Sequence, residues 1–528
     1  MIVGQLLHHR LHGKSKRLLA AGGGWLLTGI LSACSVGPDY QLPDIATHAH
    51  WTASTPADRQ HQPPEALQAW WKSFRDPVLN RLIDDAIANN LDIATAQARL
   101  REARAARQQA IGRLLPTLNA AGSQTWQYSG TSGNGPAGGS SSPAISRSFQ
   151  AGFDTSWELD LFGGNRRAAE AATYSADAAA EQVEGALLSL VAEVAATYVE
   201  ARGYQARMAL SRRTAATQRE MAKLTRSKAE AGSSAAVDVE KALAQALNTE
   251  ADLPATETAL TRSLNQLAIL IAQPPGAIAP RLAHGSGRIP ERATPLPAGL
   301  PADILSNRPD VRQAERQLAA ATAQIGAADA NRYPNISLSG NLTTSGANLV
   351  DLAHASSIGW AFGPSVSVPL FDGGALEAAS DAARARRDQA LVALRASVLS
   401  ALGDVENALA ASRNDRRRHA QLAEAASHSR AAASLTRSLY ETGTASFLDT
   451  LDAERSLYAA EDALIQSRVA IATDTITLAK ALGGGMTGPV DAGQPLIDDR
   501  TLLPRLATLS KLPSGFADPG NDSRRFHE

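Results

Sequence analysis

The 528 residues contain one cysteine, Cys34, and its surroundings assign it a chemistry. A basic, polar stretch (His8-His9-Arg10, Lys14, Lys16-Arg17) leads into an apolar run from Leu18 to Ile30, followed by Leu31-Ser32-Ala33-Cys34. The run is too short to span a bilayer and fits the h-region of a secretory signal over residues 1–33. A small residue before the cysteine and an aliphatic one three before it match a bacterial lipobox. There the thiol is diacylated and becomes the new N-terminus. Ser35 follows, not the Asp that retains lipoproteins at the inner membrane, which favours the outer membrane. Each acyl CH₂ buried in lipid contributes about 0.8 kcal/mol, so several chains anchor firmly. With a single thiol, disulfides and thiolate metal clusters are excluded. The covalent lipid on Cys34 is the only cofactor expected.

Other candidates for chemistry are few. Asp449 and Asp452 are spaced i, i+3, which puts two carboxylates on one helix face. Ser446-Phe447-Leu448-Asp449 also spells a capping box, which would place Asp449 at a helix start. Gly133 to Gly138 spells GxGxxG, but inside a Gly/Ser loop with no helix opening after it, so no dinucleotide site is expected. No HExxH or GxSxG occurs, and the eleven histidines show no ligand spacing, so neither a metal site nor an enzyme is expected. Arg416-Arg417-Arg418-His419 reads as a solvated helix face. Net charge is −1, which gives no basic field for nucleic acid.

The elements that must position these residues are written twice. LTRSKAEAGSSAAVD at Leu224–Asp238 returns as LTRSLYETGTASFLD at Leu435–Asp449, 211 positions later. Asn90-Leu91-Asp92-Ile93 pairs with Arg308-Pro309-Asp310-Val311, and Leu115-Pro116 with Tyr333-Pro334, both offset by 218; Leu161-Phe162-Gly163 pairs with Leu370-Phe371-Asp372, offset by 209. The chain is a duplication, with extra first-half residues in the Gly/Ser-rich stretch Ser129–Ser148, read as a flexible loop. Each half reads helix, strand, loop, strand, long helix, turn, long helix.

The strands alternate with period two. Phe153, Trp157, Leu159 and Leu161 are interleaved with Asp154, Ser156, Glu158 and Asp160; Ile358, Trp360, Phe362, Val366, Val368 and Leu370 with small residues. Ile336, Leu338 and Leu342 form a third run, and Leu118, Ala120, Trp126 and Tyr128 a weaker fourth. Each is near the length a tilted strand needs to cross a bilayer. Between Gly374 and Tyr440 no Gly-Pro break interrupts an Ala, Leu, Arg, Glu and Gln rich stretch, enough for a helix of about 100 Å. Gly232 and Gly443 mark the turns of two long antiparallel hairpins. Four strands cannot close a barrel, and an open edge in lipid leaves backbone groups unpaired at several kcal/mol each. Known barrels begin at about eight strands, so more than one chain is required.

These segments resemble the TolC-like outer-membrane factors: Pro77–Leu118, SWELDLFG, RPDVRQAERQLAAATAQIGAADANRYPNISLSG, PLFDGG and YETGTASFLDTLDAERSLYAAEDAL. The lipobox and Gly37-Pro38-Asp39-Tyr40 make the chain most similar to the lipoprotein branch that works with RND-type efflux pumps. The resemblance covers about Cys34 to Gly485. It implies a homotrimer with a twelve-stranded outer-membrane β-barrel, four strands per chain, continuous with a periplasmic helical barrel. It implies a lipid-anchored segment over 34–76 and a first repeat over 77–285, with strands about 117–128 and 150–162 and a hairpin about 165–272. A second repeat follows over 286–485, with strands about 334–344 and 358–371 and a hairpin about 374–483, then a partly disordered tail over 486–528. The implied function is a passive export duct for drugs or other small toxic compounds, with a periplasmic adaptor and an inner-membrane RND-type pump as partners. A duct for type I protein secretion and a non-conducting periplasmic scaffold are the rival readings. The resemblance assigns Asp449 and Asp452 to a periplasmic gate, and Gly232, Gly443 and Tyr440 to hairpin tips that meet the adaptor. Two departures stand out. A basic residue common after the second turn is Ala445 here, and Lys241 stands where the first hairpin would carry a second acid, so the constriction is expected on the second hairpin alone.

Overall fold

The computed structural model describes residues 35–45, 51–52, 67, 69–129, 144–283, 288–292, 301, 307–484 and 492–493. Cys34, the Gly133–Gly138 stretch and nearly all of the 486–528 tail lie outside the described residues. The chain forms two compact units, one from residues 1–43, 102–178 and 314–394, the other from 44–101, 179–313 and 395–528.

The first unit holds a four-stranded antiparallel sheet in sequence order: β1 (Thr117–Ser129), β2 (Ala144–Glu158), β3 (Asn335–Gly346) and β4 (Ile358–Ser367). The register explains the alternation. Trp126 lies opposite Arg147, Phe153 opposite both Ala120 and Leu342, and Leu342 opposite Trp360. One face therefore collects Leu118, Trp126, Tyr128, Ile145, Phe149, Phe153, Trp157, Ile336, Leu338, Leu342, Ile358, Trp360, Phe362 and Val366. The opposite face carries Asn119, Gln127, Ser146, Gln150, Asp154, Glu158, Ser337, Asn341 and Ser365. Most large residues of the apolar face are uncovered, Trp360 at 78% and Trp126 at 62% exposure. No sheet that folds against its own core leaves such residues bare.

Strand ends differ from the sequence expectation. β2 begins at Ala144, inside the stretch read as a loop, and stops at Glu158. Asp160 then turns to accept from Asn165 N (3.0 Å) and Arg166 N (2.8 Å), satisfying two free amides at the start of α3 (Gly164–Glu230). β4 stops at Ser367. Beyond it Asp372 accepts from Gly374 N (3.0 Å) and Leu376 N (2.6 Å), at the start of α7 (Ala375–Thr442). Within one chain the two Leu-Phe motifs have different surroundings. Phe162 stacks on Tyr333 at 4.8 Å, whereas Phe371 is 93% exposed. Gly163 stands directly before α3 in the left-handed region, and Gly373 and Gly374 both do so before α7; Gly163 and Gly374 are 211 apart.

In the second unit, α1 (Pro77–Asn89) opens on Asp76, whose Oδ1 accepts from Val78 N and Leu79 N. The other oxygen of Asp76 accepts from the buried Tyr198 hydroxyl at 2.7 Å. Along the chain α2 (Leu91–Gly112) follows, then α3, α4 (Ala236–Leu270) and the short α5 (Ala279–Ala283); the second half supplies α6 (Pro309–Ala330), α7 and α8 (Phe447–Ala481). Residues 102–112 of α2, 164–178 of α3, 314–330 of α6 and 375–394 of α7 belong to the first unit. With 67 and 68 residues, α3 and α7 each extend about 100 Å. Small residues let these helices approach closely. A Cβ at Gly203 would meet Val469 Cγ2 at 2.5 Å, and Ala195, Ala201, Ala401 and Ala479 are fully buried.

One motif latches each hairpin. Asn90 is buried, accepts from Asp92 N and Ile93 N, and donates to Leu270 O (2.9 Å) at the end of α4. Its counterpart Arg308 donates to Ala481 O (3.0 Å) at the end of α8, to both oxygens of Asp310 (3.0 and 2.7 Å) and to Asp404 (3.0 Å). Burial alone would push Asp310 up; the guanidinium beside it holds its carboxyl below the usual range. Removing the buried guanidinium leaves Ala481 O unpaired and takes charged hydrogen bonds from the half-exposed Asp310 and Asp404, so Arg308→Ala should cost about 3 kcal/mol. Asn90→Ala should cost about 1–3 kcal/mol. Thermal unfolding followed by the helical signal checks the order, and equal midpoints for the two variants and the parent would refute the latch.

Candidate functional site

The hairpin ends are built from the same physics twice and finished differently. At the end of α3, Gly232 (φ 75°) lets Ser233 N reach Lys228 O at 2.8 Å. At the end of α7, Gly443 (φ 84°) lets Thr444 N reach Leu439 O at 2.8 Å. These are left-handed C-caps, a conformation other residues enter at about 1–2 kcal/mol. A Cβ on either glycine would meet nothing within 4 Å, so backbone conformation, not crowding, selects glycine.

Tyr440, expected on the adaptor-facing tip, is 4% exposed. It is the centre of a small core with Met221, Ala222, Ala242, Phe447 and Leu451. Its ring meets Phe447 edge-on at 5.9 Å, its hydroxyl donates to Thr225 Oγ1 at 3.0 Å, and the Lys228 ammonium lies 4.5 Å over its face. Lys228 also donates to the carbonyls of Tyr440 and Glu441. The tyrosine thus ties the two hairpins together from inside, since the large ring gains more by leaving water than the surface could return. Position 229, its repeat counterpart, is Ala, so this tie exists once.

Asp449 makes the capping box its sequence spells. Its amide donates to Ser446 Oγ at 3.2 Å, and its carboxylate accepts from Ser446 N at 3.3 Å and Ser446 Oγ at 2.7 Å. Asp452 lies one turn on, exposed, beside the exposed Leu448. In the first hairpin the cap position is Ala235 and no side chain caps the amides. The structure therefore brings Asp449 and Asp452 together on one exposed face and gives only Asp449 a structural duty.

A second acidic pair was not anticipated. Asp474 on α8 has one buried oxygen without a partner, and Asp415 on α7 lies beside it. Burial, then the Asp415 charge and hydrogen bond, push Asp474 up to about 6, against an opposing pull from Arg416. Arg416 belongs to the run read as a solvated face, yet its Nε is buried and unpaired.

The segment after Cys34 is also clamped. A Cβ on Gly37 would overlap Gly326 Cα at 2.3 Å, so two glycines let the chain cross α6 in contact. Asp39 accepts from Arg167 at 2.5 Å, and the Tyr40 hydroxyl donates to Glu315 at 2.7 Å. Arg167, Glu315 and Gly326 were missed because their partner segment lies more than a hundred residues away. Among the described residues no cluster of three metal-ligating side chains occurs.

Two outcomes follow from this geometry. Ser446→Ala should cost about 1 kcal/mol by removing the cap, while Asp452→Ala should be neutral within about 0.5 kcal/mol. Unfolding midpoints that reverse this order would show that the Ser446 cap does not hold the helix start. For Asp474, a carboxyl raised in the folded state favours folding only while protonated, and that benefit is lost as pH rises through about 6. Asp474→Asn should therefore unfold at higher temperature than the parent at pH 8, and at the same temperature near pH 4. A constant difference across that range would mean the pair is not strained.

The profile of the outer membrane efflux protein family matches residues 82–273 and 300–484. Nodulation protein T of Rhizobium leguminosarum bv. trifolii is 34% identical over 465 residues, 88% of this chain and 97% of that protein. The solvent efflux pump outer membrane protein SrpC of Pseudomonas putida is 32% identical over 461 residues, 86% of this chain and 96% of its own length. Among solved structures, the outer-membrane channel OprN superposes with a TM-score of 0.79 at 34% identity, covering 86% of this chain and 99% of that one. A four-stranded sheet with one bare apolar face, two long helical hairpins and these likenesses place the chain in the outer membrane efflux protein family, as an outer-membrane channel for efflux.

Proposed function

We propose that the chain is one third of a passive outer-membrane efflux duct, with twelve strands from three copies and a helical barrel in the periplasm. The sheet carries the reading: one face apolar and uncovered, the other polar, and unpaired edges at β1 and β4. In lipid those edges must find partners, and the only available ones are β4 and β1 of further copies. The chain contains its own pattern for that junction, because β2 and β3 are the repeat counterparts of β4 and β1 and pair antiparallel. Pro364 fits an outward edge. Ala361 N points toward β3, to Asn341 Oδ1 at 3.0 Å, so even-numbered β4 residues face away from it and the missing N–H disrupts no bond within the chain.

The remaining assignments belong to the same reading. Cys34 carries the lipid anchor, and the clamped Gly37–Tyr40 segment transmits it to the body. A periplasmic adaptor meets the exposed turns at Gly232 and Gly443, with Tyr440 supporting them from within, and an RND-type inner-membrane pump supplies the energy. Asp449 and Asp452 from three copies form the gate, where crowded carboxylates attract cations and repel one another. The cargo is small toxic compounds, as the solvent efflux relative's name suggests, and the protein performs no catalysis. Protein secretion and a poreless scaffold are disfavoured: the family is one of efflux channels, and a scaffold has no use for a bare apolar sheet face.

The test is the mass of the particle extracted from the outer membrane, with a paired-cysteine variant. Trp126→Cys combined with Trp360→Cys should be joined between chains by a short thiol-reactive linker, giving a ladder ending at three. In planar bilayers Asp452→Asn should weaken cation preference more than Asp449→Asn. A single-chain particle, or crosslinks confined within one chain, would end the duct reading.

A further inference from the structure

Resting on the outer-membrane reading, we propose that Arg147, backed by Trp126, is a contact for the phosphorylated headgroups of lipids in the outer leaflet. Among the described residues Arg147 is the one charged side chain on the apolar face of the sheet. It lies directly across from Trp126 in the β1–β2 ladder, its guanidinium 4.7 Å over the indole, and it is exposed. A cation on a lipid-facing strand costs about 2–4 kcal/mol at the bilayer midplane and about 0–1 kcal/mol near the interface, so its depth decides its meaning.

Topology gives the depth. All four strands meet the helices at one end of the sheet: β1 follows α2, β2 leads into α3, β3 follows α6 and β4 leads toward α7. The free ends, after Ser129 and Gly346, lie at the opposite end, and Arg147 is three residues from the start of β2 there. From Trp157, near the helical end, to Arg147 is ten residues. At about 3.3 Å per residue and a tilt near 40°, this is about 25 Å along the membrane normal, the height of the apolar band of such barrels. Trp157 and Arg147 therefore mark its two borders. Trp126 and Tyr128 stand beside Arg147 at the outer border, both exposed, as amphipathic rings do at headgroup level.

A guanidinium at that level has no carboxylate within the sheet's apolar face to pair with, and its own ring partner leaves the N–H fork free at the edges. The complementary group is a planar or tetrahedral oxyanion fixed at the same height, and a lipid phosphate meets both conditions. A free phosphate shares the chemistry but lacks acyl chains to lie along Phe149 and Phe153 on the same strand. The site therefore commits to the lipid.

The experiment uses the intact detergent-purified trimer, incubated with bisphosphorylated lipid A or its dephosphorylated form, and counts retained lipid by native mass spectrometry. The parent should prefer the phosphorylated form by about five-fold per site, since each surface Arg near an anionic headgroup contributes about that factor. Arg147→Gln should lose the preference, and Arg147→Lys, which keeps the charge without the planar fork, should retain only part of it. Excess inorganic phosphate should not displace the lipid. Unchanged preference in Arg147→Gln, or displacement by inorganic phosphate, would overturn the proposal. Failure to obtain a trimer at all would strike the channel reading instead.

Discussion

An antiparallel sheet of four strands with two free edges cannot exist by itself in hydrocarbon. β1 has 13 residues and β4 has 10, and about half the backbone polar groups of each point away from their single neighbour. At several kcal/mol for each unsatisfied group in lipid, the total far exceeds the stability of any single domain. On the proposed duct, association of copies is thus part of folding. The duplication follows from the same constraint, because a junction that works inside the chain, β2 against β3, can be repeated between chains without a new design.

What was duplicated is the frame, and what diverged is the end of the second hairpin. Asn90 and Arg308 both read the last carbonyls of a returning helix, and Gly232 and Gly443 both end one in the left-handed region. Against that, Tyr440, Ser446 and Asp452 face Ala229, Ala235 and Lys241 in the first half. A tie, a cap and an acid stand on one of these two hairpins and not on the other. On the proposed trimeric duct, three copies would present alternating plain and elaborated ends, the arrangement that a constriction with a three-fold ring of charge requires.

The sheet was legible in the sequence because its signal is local: a period of two survives without knowledge of any partner. Its edges were less so. The start of β2 falls in a stretch that its glycines and serines make look flexible, which hides Ile145, Arg147 and Phe149, although Arg147 is paired across the ladder with Trp126. Paired Leu-Phe motifs suggested an equivalence that the helix starts do not share, since capping is decided by Asp160 and Asp372 and not by the hydrophobic residues beside them. Tyr440 could not be placed from its own neighbourhood. Its burial depends on Thr225 and Met221, more than two hundred positions away, and on alanines small enough to leave room for a ring. The Asp415–Asp474 pair was invisible for the same reason, since nothing in either segment shows that the two helices bring them side by side.

The two candidate gate acids are not equivalent, and the difference follows from hydrogen bonding. Asp449 has its carboxylate turned back onto Ser446, accepting from its hydroxyl at 2.7 Å and from its amide at 3.3 Å, and so holds in place the residue whose Oγ caps the helix. Turning outward to a cation or a neighbouring chain would release the helix start, a loss of about 1 kcal/mol. Asp452 has no such attachment among the described hydrogen bonds and stands exposed a turn away. A gate that must open repeatedly is better served by a charge whose movement leaves its helix intact. Asp449 then fixes where the helix begins, and by fixing that start it sets the height at which Asp452 is held.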